Sequence, residues 1–172
     1  YAQDETGNTA LHLLVLKDNV ENFELEILLQ AQLANLYFSS FREKVLEPKN
    51  KSGATPLALA VSIKNGDLGE ADNDINIQHH WIISELLTFG ADPDQTDDEN
   101  WTPLLLYSAN GKDADTFNLL LDSSSKPCKT QNKSGLNIVS ALKQNTHLKD
   151  TEISGVGLVK FPMGLFRKRC PS

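Results

Sequence analysis

Cysteine is nearly missing from this sequence: Cys128 and Cys170 are the only two among 172 residues. Two cannot build the multi-bridge framework of a small secreted scaffold, and they point instead to a reducing compartment. A chain of this length needs no staples, because folding removes roughly two thirds of its extended surface from water. Long hydrophobic runs are missing too. None approaches the roughly 20 apolar residues that span a bilayer, so no transmembrane helix lies within these residues. Positive charge is scarce, with 16 Lys and Arg against 23 Asp and Glu, giving a net charge of −7 and a pI near 5.0. That balance argues against nucleic-acid binding, which requires a field of cations to neutralise phosphates. The single dense basic cluster is Arg167, Lys168 and Arg169. Methionine occurs once and the chain opens at Tyr1, so it reads as an excerpt in which a missing leader peptide carries no weight.

What is present is a recurring segment. Gly7-Asn8-Thr9-Ala10-Leu11-His12 matches Gly53-Ala54-Thr55-Pro56-Leu57-Ala58 and Asn100-Trp101-Thr102-Pro103-Leu104-Leu105, and more faintly Gly135-Leu136-Asn137-Ile138-Val139-Ser140. Asp4, Asn50, Asp97 and Asn132 precede these segments at matching positions. Their short polar side chains close turns by accepting from nearby backbone N–H groups, and the Gly or Asn three positions later supplies a positive φ. Thr followed by Pro then reads as a helix start.

A second helix is expected after each of the first three segments. Its apolar residues are Phe23, Leu25, Leu28 and Leu29 in the first, Trp81 to Leu87 in the second, and Phe117 to Leu121 in the third. No second helix is legible in the fourth. Phe89-Gly90-Ala91-Asp92-Pro93-Asp94 reads as a helix exit, with Gly90 in the left-handed region and Pro93 preventing continuation.

The turn, the Thr-Pro-Leu helix start and the Leu-Leu-x-x-Gly-Ala-Asp exit together resemble the ankyrin repeat. Asp4 to Leu13, Asn50 to Ala60 and Trp81 to Leu106 carry the likeness best, and it extends over about 4–145. The resemblance implies an all-α solenoid of about four helix-turn-helix repeats with short β-turn or hairpin tips. The domain would cover 1–148, with repeats over about 4–49, 50–96, 97–131 and a partial 132–148. Residues 149–172 would form a C-terminal cap or a linker, the cap packing through Val159, Phe161, Leu165 and Phe166.

Two repeats are enlarged. Thr9 and Thr55 lie 46 residues apart, Thr55 and Thr102 47, and Thr102 and Asn137 35, against about 33 in the family. The first excess lengthens the second helix into Ala31 to Lys44, carrying Leu33, Leu36 and Tyr37. The second is a loop over Lys64 to Asp74.

An ankyrin unit cannot bury its helical face alone, so units stack, leaving turn tips and first-helix faces along one concave side. By the family's pattern the partner-binding positions are Glu5, Thr6 and Asn8; Lys51, Ser52 and Ala54; Asp98, Glu99 and Trp101; and Lys133, Ser134 and Leu136. Trp101 has the size and rigidity of an interface hot spot, or else packs against the repeat-two loop. Asp92, Asp94, Asp97, Asp98 and Glu99 crowd one turn and favour a partner with a basic patch, unless they are simply solvated.

Chemistry is not expected within these residues. The acidic run fails the calcium-loop count, with Asp97 where Gly belongs and Pro103 where Glu belongs. His79 and His80, adjacent at the start of a helix, point about 100° apart and do not grip one zinc ion. His12 is expected to hydrogen-bond neighbouring turn backbone. No nucleophile motif appears, and Gly155-Val156-Gly157 lacks the setting of a phosphate loop. Sequons at Asn50, Asn100 and Asn132 all fall in turns, where the same residues serve turn chemistry. The expected function is a cytoplasmic protein-binding module without cofactor, metal, nucleic acid or membrane contact. Two others stay open. One is the recognition domain of a larger secreted effector enzyme of an intracellular bacterium, acting in the host cytoplasm and suggested by uneven repeats and 14 Asn residues. The other is the cytosolic segment of a membrane channel.

Overall fold

The computed structural model describes residues 2–17, 20–34, 42–62, 73–127 and 129–149. Among them all regular structure is helical: α1 (Ala10–Leu16), α2 (Asn22–Ala34), a π-helical turn (Arg42–Leu46), α3 (Pro56–Ser62), α4 (Asn73–Thr88), α5 (Pro103–Asn110), α6 (Ala114–Ser123), α7 (Ile138–Gln144) and α8 (Thr146–Lys149). An isolated antiparallel bridge joins Gln131 and Asn137. No described helix is long and apolar enough to cross a membrane.

Helix boundaries follow local chemistry. Thr55 and Thr102 accept through Oγ1 from the amides of Ala58 and Leu105, both at 3.2 Å, and Pro56 and Pro103 occupy the first helical position, where their missing N–H costs nothing. Asn137 does the same work for α7: its Oδ1 accepts from Ser140 N at 2.9 Å, while Ser140 Oγ accepts from Asn137 N at 3.0 Å. Asp113 caps α6 by accepting from Thr116 N at 2.7 Å. At the end of α4, Gly90 N donates to Leu87 O and Ala91 N to Leu86 O, with Gly90 at φ 96. That paired closure is the left-handed helix stop expected from Gly90-Ala91.

Helices α1, α3, α5 and α7 lie in a row, each touching the next; α4, α5's partner α6, and α8 pair respectively with α3, α5 and α7, and α4 also touches α6. The apolar stripes meet in one continuous cluster running from Leu11, Leu25 and Leu29 through Leu57, Ile83, Leu86, Leu104, Leu105, Phe117 and Leu120 to Ile138 and Leu148. Full burial of each such side chain contributes about 1.5–3 kcal/mol.

Two joints hold the later helix pairs together. Between α5 and α6 the chain bends at Gly111, whose absent Cβ would run into the ring of Tyr107. The Tyr107 hydroxyl accepts from Asp113 N at 3.2 Å, and burial of the phenol pushes its pKa up to about 12. Between α7 and α8, buried Asn145 uses both ends of its amide. Nδ2 donates to Ser108 O (3.2 Å) and Gly111 O (2.8 Å), and Oδ1 accepts from His147 N (2.9 Å) and Leu148 N (3.0 Å).

Several sequence expectations need correcting. Phe23 does not share a buried face with Leu25: it is 59% exposed and Leu25 fully buried. Residues two apart on a helix point roughly 200° apart, so one face cannot take both. Helix α4 begins at Asn73, which takes Asn73 and Asp74 out of the expected loop and puts His79 and His80 well inside the helix and not at its start. A short second helix, α8, does follow the fourth segment, nucleated by Asn145 and anchored by buried Leu148. Residues 35–41, most of the Lys64–Asp74 loop, Cys128, Cys170 and the tail from 150 onward, including Val159, Phe161, Leu165 and Phe166, lie outside the described residues.

Candidate protein-binding surface

Four turns precede α1, α3, α5 and α7, and one set of hydrogen bonds builds all four. Asp4, Asn50, Asp97 and Asn132 each donate their amide to the residue four positions on (Asn8, Ala54, Trp101 and Leu136) and accept through their carbonyl from Gly7, Gly53, Asn100 and Gly135. The side-chain Oδ1 then accepts from a second amide inside the turn: Asn8 and Thr6 for Asp4, Ala54 and Ser52 for Asn50, Trp101 and Glu99 for Asp97, Leu136 for Asn132. The closing residue takes a positive φ: 81 at Gly7, 76 at Gly53, 62 at Asn100 and 81 at Gly135. Asn is the side chain that tolerates this region best after Gly, so its presence in the third turn is accommodated.

Backbone joins the first turn to the second and the third to the fourth. Lys51 N donates to Thr6 O at 2.9 Å and Lys133 N to Glu99 O at 3.0 Å. Asn50 Nδ2 donates to Asn8 Oδ1 at 3.1 Å, and Lys133 Nζ reaches Glu99 Oε1 at 3.2 Å. A Cβ on Gly7 would stand 2.8 Å from Lys51 N, and one on Gly53 2.6 Å from Asp98 N, whereas one on Gly135 would meet nothing within 4 Å. Gly53→Ala is therefore expected to cost about 2–3 kcal/mol, combining left-handed strain with overpacking. Gly135→Ala should cost only the strain, about 1 kcal/mol. Urea unfolding of the two variants separates the contributions, and equal costs would show that the turns do not press on one another.

His12 ties α1 to the second turn. Its Nε2 lies 3.0 Å from Ala54 O and its Nδ1 3.2 Å from Thr9 N, which fits a neutral ring with the proton on Nε2. Burial lowers its pKa below 6.5, against opposing contributions from Ala54 O and Asp4. The unfolded chain therefore takes up the proton first, so this stability is complete above about pH 6.5 and is lost as pH falls below it. The expected result is a Tm that drops between about pH 7 and pH 5, with the slope flattened in His12→Gln. An unchanged slope would remove His12 as the cause.

Of the sequence-derived contact positions, Glu5, Thr6, Lys51, Ser52, Asp98, Glu99, Lys133 and Ser134 are exposed on these turns. Asn8, Ala54, Trp101 and Leu136 are half-buried. Asn8 is committed to joining the first two turns. Trp101 packs one part of its ring against the core and leaves the rest at the surface.

The acidic cluster divides by role. Asp97 closes its turn, and Asp92 Oδ1 accepts from Asp94 N at 3.0 Å. Asp94 accepts from the hydroxyls of Ser124 and Ser125 and from Ser125 N. Burial works to raise the Asp94 pKa, but these hydrogen bonds prevail and hold it below the usual carboxylate range. Asp98 and Glu99 remain outward. His80 Nδ1 sits 2.9 Å from Thr116 Oγ1 and 3.8 Å from Asp113 Oδ2, tying α4 to α6. Among the described residues no three His, Cys, Asp or Glu side chains are grouped to hold a metal ion. Two sequon asparagines are part of the turn lattice: Asn132 is buried, and Asn50 uses both ends of its amide.

No protein-family model matches this chain, and no curated protein is significantly similar to it.

Proposed function

We propose that this chain is an ankyrin-type stack of four uneven repeats that binds another protein on the concave side formed by its turn tips and first helices. The reading assigns it no catalysis and no cofactor. The observation that carries it is the row of four turns closed by one hydrogen-bond set, with Glu5, Lys51, Asp98 and Lys133 exposed at its equivalent positions. A surface whose backbone is fixed and whose outward side chains vary in charge is preorganised for recognition, because little ordering is left to be done on binding.

Trp101 supplies the aromatic anchor, and Asp98 with Glu99 the acidic edge that favours a partner carrying a basic patch. Use of Asn50 and Asn132 inside the turns supports a cytoplasmic setting, since a glycan on Asn50 Nδ2 would displace its bond to Asn8 and buried Asn132 leaves no room for one.

The test is quantitative binding to a purified partner first captured by the wild-type chain. Trp101→Ala, and separately the pair Asp98→Lys with Glu99→Lys, should each raise Kd at least about ten-fold while circular dichroism stays unchanged. A partner bound equally well by both variants would place its site elsewhere.

A further inference from the structure

The first position after the turn-closing Asp or Asn is charged in every turn, and its sign alternates: Glu5, Lys51, Asp98, Lys133. All four are exposed. Each turn presents two antiparallel legs; backbone hydrogen bonds of 2.9 and 3.0 Å join the first turn to the second and the third to the fourth, and the second and third turns pack together where Gly53 meets Asp98 N. Hydrogen-bonded legs lie about 4.8 Å apart, so equivalent positions recur about every 9.6 Å along the row.

That spacing selects a backbone conformation. A β-strand rises about 3.3 Å per residue and turns its side chains to opposite faces, so same-facing residues recur at about 6.6 or 13 Å and miss the row. A polyproline II segment has three residues per turn and rises about 3.1 Å per residue, so every third side chain faces the same way at about 9.3 Å. The mismatch over four turns is about 1 Å, within the reach of flexible Lys and Glu side chains.

We propose, building on the protein-binding reading above, that the turn row recognises a partner segment in polyproline II conformation whose every third residue is charged with alternating sign. Basic residues face Glu5 and Asp98, and acidic residues face Lys51 and Lys133. In three of the four turns the second exposed position suits the same ligand. Thr6, Ser52 and Ser134 donate their hydroxyl protons inward to Asp4, Asn50 and Asn132 at 2.7, 2.7 and 2.8 Å. The Ser52 and Ser134 oxygens are thereby left as outward acceptors, while that of Thr6 also accepts from Asn8 Nδ2 at 2.8 Å; a polyproline II backbone bonds none of its own N–H groups internally. The Lys133–Glu99 pair does not block recognition: both side chains are more than half exposed, and such pairs exchange partners at little cost.

The experiment uses two peptides of identical composition, both rich in Pro and Ala: Lys-x-x-Glu-x-x-Lys-x-x-Glu, and a control with the four charges on every second residue. At about 50 mM salt the first should bind about ten-fold more tightly, and the preference should vanish near 0.5 M salt. Lys51→Glu should lose that preference, and the peptide Lys-x-x-Lys-x-x-Lys-x-x-Glu should restore it on this variant alone. Equal binding of the two wild-type peptides, binding of neither, or a variant that the matched peptide does not rescue would each overturn the charge register. If a captured partner depends on Trp101, Asp98 and Glu99 while these peptides show no preference, the register fails and the protein-binding reading stands. If the peptides discriminate but no protein depends on those residues, it is the broader surface that fails.

Discussion

Replacing Asn145 with Ala is expected to lower the free energy of unfolding by about 3–5 kcal/mol, because one truncation leaves four buried or half-buried backbone groups unpaired. Ser108 O and Gly111 O lose a donor, and His147 N and Leu148 N lose an acceptor. The cost exceeds that of a single hydrogen bond because the partners cannot all reach water once Leu148 seals the end of the core. Asn145→Asp separates the two ends of the amide. It retains the acceptor that starts α8 but sets a carboxylate against two carbonyl oxygens, so it should be comparably destabilising at neutral pH. Its carboxyl would be held above the usual range, so the deficit should shrink as pH falls through that raised value and the group becomes a donor. Urea denaturation of both variants across pH gives the comparison. A deficit below about 1 kcal/mol for Asn145→Ala would mean that water already serves those groups.

Phe117→Ala should cost a similar amount, about 3–5 kcal/mol, through lost apolar burial and the cavity left inside α6. The control is the same truncation at Phe23. Phe117 is wholly buried and Phe23 is 59% exposed, so Phe23→Ala should change stability by no more than about 0.5 kcal/mol. Chemical denaturation of the pair reads the environment of each ring directly, since the atoms removed are identical. Similar losses at both sites would mean that something covers Phe23 in solution.

What the sequence made legible was chemistry that closes over a few residues. Asp4, Asn50, Asp97 and Asn132 hydrogen-bond no farther than four positions ahead within their turns, and Thr-Pro and Gly90-Ala91 act within one helical turn. Each therefore carries its signal in its own neighbourhood. His12 was legible for a different reason: its Nε2 meets Ala54 O 42 positions away, and only the resemblance indicated which turn it faces. The remainder depended on distant partners. Asp94 finds Ser124 and Ser125 about 30 positions away, and Asn145 reaches back to Ser108 and Gly111, so neither spacing nor composition announces them. Gly111 sits at an ordinary negative φ and is required by the ring and the carbonyl oxygen of Tyr107 beside it. Phe23 was misplaced because a helical stripe was read across residues two apart, which no helix face accommodates.

The division of labour within each turn has an evolutionary consequence. The closing Asp or Asn and the positive-φ residue carry the conformation, while the residue between them lends only its backbone at Glu5 and Lys51 and adds no more than an exposed ion pair with Glu99 at Lys133. Under the proposed protein-binding reading, substitution there changes what the surface attracts and leaves the scaffold's folding free energy nearly untouched, so selection can act on partner choice and on persistence as separate traits. Descendants of this chain can then shift allegiance one turn at a time without passing through unstable ancestors.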